Sequence, residues 1–224
     1  MIKVENIEVF NFEGALRGMR NPKNSWAKSD TVMSLELRHN ENHAKVYADI
    51  GENDLYLMRK LYRAGSEHRK YARQIFVSMD ITAPLYWWKE MDQYRINVTT
   101  DSCSTMHTIE DKEFTLDDFS HEHLFGNEDE YDVDEPIGVL NIVIEALNNW
   151  RETYLEENDK EQWWQMIQLL PSSYNQRRTI TMNYENVFNI IHQRSHHKLD
   201  EWKELVNILT NELPYVREIM GVDA

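Results

Sequence analysis

The chain has 224 residues, with 24 Lys and Arg against 39 Asp and Glu for a net charge of −15, 41% apolar side chains and one Cys. That composition describes a core-forming chain of about one domain, and a single Cys excludes an internal disulfide or a Cys-based zinc site. The acidic balance opposes non-specific binding to nucleic acid or an anionic membrane surface. With no signal-peptide pattern and no bilayer-length apolar run, a cytoplasmic protein is expected.

Taken in chain order, Ile2 to Phe10 alternates with period two and suits a strand. Asp54 to Ala64 reads as a helix, with Asn53 as its cap, Leu55, Met58, Leu61 and Tyr62 on one face, and Gly65 as a left-handed stop. Gln74 to Ile81 is β-branched and aromatic, as in a strand. Pro84 then opens a helix expected to run to Arg95, whose aromatic load implies burial. Between Glu110 and Glu135 there are twelve acidic residues and one Lys, which contribute −11 of the −15. The run from Asn127 to Glu135 has too little apolar content to offset ordering and reads as a solvated loop. A calcium loop is the alternative, but the Gly and closing Glu of an EF-hand are missing.

Pro136 starts a long segment from Ile137 to Trp150 that is apolar on several sides and should lie centrally. A helix over 161–169 ends before Pro171, Thr179 to Met182 reads as a strand, and two helices follow, over 184–196 and 199–213. The mixed order, with few clean βαβ units, predicts an α+β fold: a single domain with a modest, mainly antiparallel sheet covered by long helices, interrupted by the acidic loop.

The P-loop, the Gly-x-Gly-x-x-Gly fingerprint, the Gly-x-Ser-x-Gly elbow and His-Glu-x-x-His are all absent. His192 and His196 stand four apart, a spacing that could hold a metal with Asp200; polar histidines at a helix end, favoured there by the helix dipole, are the preferred account. Cys103 lies in a hydroxyl-rich run, Thr99 to Thr105, between Arg95 and His107. It reads as a buried structural Cys, a Cys lining an anion site, or a nucleophile with His107 as base. Arg177, Arg178 and Arg194 are the other notable cations.

From Ser25 to Leu213 the order of pieces resembles the flavin-dependent thymidylate synthases, the ThyX family. Setting Pro84 on the Pro that opens the family's helix puts the last Arg of its R-H-R-x-x-S-x-N-E-x-S-x-R-Y signature on Arg95 and the E-x-S on Asp101, Ser102 and Cys103. Gln93, Tyr94, Val98, Thr100 and Thr105 stand where the first Arg, the His, the first Ser, the Asn and the later Arg would be. Toward the C-terminus, Leu170-Pro171, Asn183, Asn189 and Arg194 keep the family's spacing without a gap, and Asn24-Ser25-Trp26 is similar to its early Ser-Trp segment.

The resemblance implies FAD held by Arg95, Asn183 and Asn189. It implies a pyrimidine nucleotide such as dUMP met by Asp101, Ser102, Cys103 and Arg194, with no metal. Methylenetetrahydrofolate and NADPH would be co-substrates of a cytoplasmic homotetramer with ligands between subunits. The expected function is a divergent thymidylate synthase-like enzyme; the alternative is a non-catalytic homologue that binds a nucleotide or a protein partner.

Overall fold

The computed structural model describes residues 2–37, 44–128 and 131–221. The element order is β1 (Lys3–Phe10), α1 (Phe12–Arg20), β2 (Val32–Leu37), β3 (Ala44–Asp49), α2 (Glu52–Arg63), β4 (Phe76–Pro84), α3 (Leu85–Met91), β5 (Thr99–Ser102), α4 (Thr105–Thr108), α5 (Pro136–Glu157), α6 (Lys160–Leu169), β6 (Asn175–Asn183), α7 (Tyr184–Arg194), α8 (Asp200–Asn211) and α9 (Val216–Met220). Strands β1, β4, β6 and β5, in that order, form an antiparallel four-stranded sheet, and β2 pairs with β3 from Val32 opposite Asp49 to Leu37 opposite Ala44. The expected α+β architecture is therefore present.

The chain divides into two compact units, one of residues 1–4, 80–94 and 100–179, the other of residues 5–79, 95–99 and 180–224. In the first unit, α5 begins on Pro136 and packs with α6. Leu140, Ile144 and Leu147 of α5 meet Met166 of α6 together with Ile109, Phe114 and Phe119. Two of those aromatics come from the acidic segment: Phe114 is 4% and Phe119 1% exposed, so its first half is anchored in a core. An added Cβ at Gly138 would collide with the Asp132 carbonyl, and the missing side chain is what lets the later part of the segment lie against α5. Residues 131–134 are exposed, while 129 and 130 of the expected loop lie outside the described residues.

The second unit is built on a buried ion pair. Asp54, fully buried on α2, accepts from Arg20 Nε at 2.6 Å, Ser29 Oγ at 2.6 Å, Thr31 Oγ1 at 2.7 Å and the backbone N–H groups of Asp30 and Thr31. In return Asp30 caps α2, accepting from the N–H groups of Asn53 and Asp54 at 2.9 and 3.1 Å. The cap expected of Asn53 thus comes from a carboxylate 23 residues upstream, because a helix N-terminus takes whichever acceptor the fold delivers. Gly65 has φ +105°, as expected of the stop. Tyr215 holds φ 62°, a costly setting for an aromatic residue, and its hydroxyl spans Ala48 O and Ile50 N at 3.0 Å each.

Burial, the largest influence on the Asp54 carboxyl, raises its pKa, yet hydrogen bonds from Ser29, Thr31 and Arg20 and the Arg20 charge outweigh it, so the pKa lies below its ordinary value. A depressed folded-state pKa means stability that is complete above the ordinary carboxylate range, near pH 4, and is lost as pH falls through the lower folded value. Asp54→Ala strands the Arg20 charge and should lower the unfolding free energy by about 3–5 kcal/mol in urea melts, with a flatter acid limb than the parent.

Candidate functional site

The capping box at the β6 to α7 junction positions the polar residues of the second unit. Asn183 Oδ1 accepts the Asn186 N–H at 3.1 Å, and Asn186 Oδ1 accepts the Asn183 N–H at 3.4 Å. The helix so started carries Glu185, Asn186 and Asn189 along one side, over a row of buried apolar residues, Val187, Phe188 and Ile191. Asn186 Nδ2 also donates to Ile96 O at 2.9 Å, which fixes the 95–99 segment beside α7.

Opposite them, the turn Lys70–Gln74 precedes β4 and follows Arg69. Arg69 forks onto Glu185, with Nε to Oε2 and Nη2 to Oε1 both at 2.9 Å, and Nη2 also reaches Asn189 Oδ1 at 3.3 Å. Its guanidinium lies 5.1 Å from the Tyr62 ring centroid and 5.9 Å from that of Phe188. Tyr62 in turn meets His192 Nε2 at 2.6 Å, and burial raises the Tyr62 pKa. These residues enclose a cleft of about 580 Å³ lined by Ser66, Arg69, Arg73, Ile96, Asn97, Asn183, Glu185, Asn186 and Asn189. That volume lies within the roughly 300–1,000 Å³ range of small-molecule sites.

Two solved structures of thymidylate synthase X (ThyX) from Helicobacter pylori, each with FAD and dUMP, match with a TM-score of 0.66 at 17% and 18% sequence identity. The matches cover 97% of this chain and 96% and 97% of those chains. The chain has the fold of the ThyX synthases. No protein-family model and no curated protein matches the sequence.

On this ThyX fold, Asn183 and Asn189 come together in the cleft, and Ile96 and Asn97, which follow Arg95, line it too. Arg95 itself is exposed. The helix opened by Pro84 stops at Met91, four residues short of expectation, so Arg95 sits on a connecting segment. Asp101, Ser102 and Cys103 lie in the first unit on or just after β5, exposed. The Cys103 N–H donates to Arg177 O, and its carbonyl accepts from Gln176 Nε2 at 2.9 Å. A buried structural role for Cys103 is thereby corrected, since β5 is short and its side chains at this end face solvent. Arg194 lies over the Trp202 ring at 4.5 Å.

The other noted residues find structural partners. Arg177 pairs with Asp80 at 2.7 Å; Arg178 pairs with Asp92 at 2.8 Å and covers Trp88 at 4.3 Å. Helix α7 ends at Arg194, so His196 falls beyond it and does not share a helix face with His192. No cluster of three or more metal-ligating groups occurs among the described residues. Reading the sequence alone passed over Arg69 and Arg73; the basic run His68-Arg69-Lys70 with Arg73 just before a strand was the available signal.

The exposure of Cys103 has a direct check: the folded protein should take up one equivalent of a thiol reagent in the absence of denaturant, at a rate little changed by adding it.

Proposed function

We propose that this protein is a flavin-binding, thymidylate synthase-like enzyme acting on dUMP or a related pyrimidine nucleotide, with the second-unit cleft as its FAD site. The observation that carries the reading is the convergence of Asn183 and Asn189 on a cleft with two arginines, in a fold shared with structures that hold FAD and dUMP.

The residues present suit the cofactor. A dinucleotide brings a charged diphosphate, a planar dicarbonyl ring and apolar ring faces. The cleft supplies amide groups on Asn183 and Asn189, a solvent-facing guanidinium on Arg73 and an apolar wall in Ile96, which is 79% exposed. Arg69 is neutralised by Glu185, so Arg73 supplies the charge. Arg73 also offers a reason why Gln93 and Tyr94 can stand where the family signature has Arg and His: a cation comes from the segment before β4 instead. Bound flavin would supply hydride for reducing a one-carbon unit, with methylenetetrahydrofolate as its donor and NADPH as reductant. This chain's part is to bind, orient and exclude water: Asn183 and Asn189 hold the ring or diphosphate, while by the resemblance Asp101, Ser102 and Cys103 of the first unit and, separately, Arg194 of the second are the residues offered to a nucleotide.

Assembly as a homotetramer belongs to the same proposal. Val139, Ile142 and Trp150 form a stripe on α5 at 43%, 36% and 40% exposure, an apolar surface of the kind that subunit contacts cover. Light scattering should give four chains per particle, and Trp150→Glu should lower that number.

The second reading, a binding protein of this fold without catalysis, is favoured by the loss of the first two basic signature residues. Absorbance of the purified protein before and after FAD addition tests the first reading; the expected result is stoichiometric flavin, and none after titration would sink it. Consumption of dUMP by the flavin-loaded protein separates enzyme from binder. Arg73→Ala should weaken FAD by about tenfold or more with an unchanged melting temperature, because its side chain is exposed and charge-assisted bonds contribute about 1.5–3 kcal/mol each.

A further inference from the structure

A second cleft lies wholly within the first unit. Where α5 gives way to α6, Asn158 takes a left-handed φ of 51° and its N–H closes on Tyr154 O at 2.7 Å, while Asp159 caps α6 by accepting the Glu161 N–H at 3.0 Å. That short corner brings Tyr154, Asn158, Lys160 and Trp163 to one wall. Glu110 forms the other, with Met106 and His107 of α4 just before it, and its backbone carbonyl is held to α5 by Arg151 Nε at 2.8 Å. The cleft so enclosed is about 410 Å³, inside the roughly 300–1,000 Å³ range of small-molecule sites.

The chemistry of its lining is unspent. Glu110 Oε2 is closed off from solvent with no hydrogen-bond partner, a costly state for a carboxylate oxygen. Neither neighbouring cation relieves it: Arg151 spends its Nε on the backbone carbonyl, and Lys160 leans over the Trp164 ring at 5.9 Å. The last torsion of a Glu is broad, so a turn of the carboxylate presents either oxygen to the cleft. Tyr154 and Trp163 pack against the core of Leu147 and Met166, which makes them fixed walls rather than loose surface rings. The Tyr154 hydroxyl, the Asn158 amide oxygen and a His107 ring nitrogen add acceptors.

We infer that this cleft binds the guanidinium group of a small organic cation, with Glu110 as the counter-charge and the Tyr154 and Trp163 rings as apolar walls. A guanidinium fits better than an ammonium because it is planar and weakly hydrated, stacks on aromatic faces and meets a carboxylate with a two-pronged edge. Glu110 also opens the segment that carries −11 of the net charge, so the local field draws cations and opposes phosphates. None of these residues lines the second-unit cleft, so the inference stands or falls apart from the flavin proposal.

Calorimetric titration of the full chain with three probes tests it. N-butylguanidinium and n-butylammonium differ only in the head group, and N-acetyl-L-arginine amide presents the guanidinium as a protein side chain would. N-butylguanidinium should saturate one site per chain and bind at least about tenfold more tightly than n-butylammonium. Glu110→Gln keeps the side chain's shape and removes its charge. It should weaken N-butylguanidinium by at least about tenfold while the melting temperature holds or rises, since an unpaired, partly buried carboxylate is relieved. Lys160→Ala removes a like charge from an exposed position and should leave that affinity equal or tighter.

No saturable binding of N-butylguanidinium, equal affinity for n-butylammonium, or affinity unchanged by Glu110→Gln overturns the inference. So does displacement of the probe by inorganic phosphate or loss of binding in Lys160→Ala, either of which would make the cleft an anion site. Binding of the arginine derivative alone would overturn the small-molecule source and assign the cleft to an Arg of a protein partner.

Discussion

The bidentate contact between Arg69 and Glu185 ties together three parts of the second unit that are far apart in sequence. Arg69 follows the turn after α2, Glu185 and Asn189 ride on α7, and Tyr62 closes α2 beneath the guanidinium. Each contact constrains the next: the fork fixes the guanidinium plane, the plane fixes its third hydrogen bond, and that bond orients the amide at the cleft wall. A half-buried ion pair of this kind contributes little to stability by itself, because desolvation offsets much of the attraction. Its consequence is geometric, since a planar, five-donor group has few ways to satisfy Glu185, Asn189 and two aromatic faces at once.

Charge is used sparingly in a protein this acidic. Arg20 is consumed by Asp54, Arg177 by Asp80, and Arg178 by Asp92 and Trp88, while Arg194 lies on Trp202. Arg73, exposed on the cleft lining, has one described bond, to the Ser66 carbonyl. The overall −15 charge opposes non-specific binding to polyanions.

The fold was legible where local rules and burial agree. Period-two alternation marked β1, Pro136 marked the start of α5, Asn183 fell at the head of α7, and Gly65 took its left-handed stop. Element ends were less legible, because a helix stops where its next residue finds a better partner. The helix after Pro84 was expected to reach Arg95 but ends at Met91, and α7 was expected to reach His196 but ends at Arg194. The β2–β3 pair went unread, since its short strands satisfy each other rather than a long apolar pattern. The first half of the acidic segment read as solvent-facing because charge dominated the count, although Phe114 and Phe119 were its anchors.

At the cleft, Asn183 and Asn189 were singled out through the resemblance to the ThyX family, whose spacing across a strand-to-helix junction they keep, and both line its wall. Arg69 and Arg73 were not, because nothing local distinguishes a cation that meets Glu185 116 residues away from one that meets water. The same limit applies to Asp54, which reads as one more polar residue on a helix and becomes a buried hub only when Arg20, Ser29 and Thr31 are folded around it. Composition, periodicity and caps thus determined most of the elements and their class, while the two amides came from the resemblance to the ThyX family. Long-range pairing decided which charges are spent on structure and which residues line one cleft, because a side chain's chemistry is set by its partners and partners distant in sequence meet only in the folded chain.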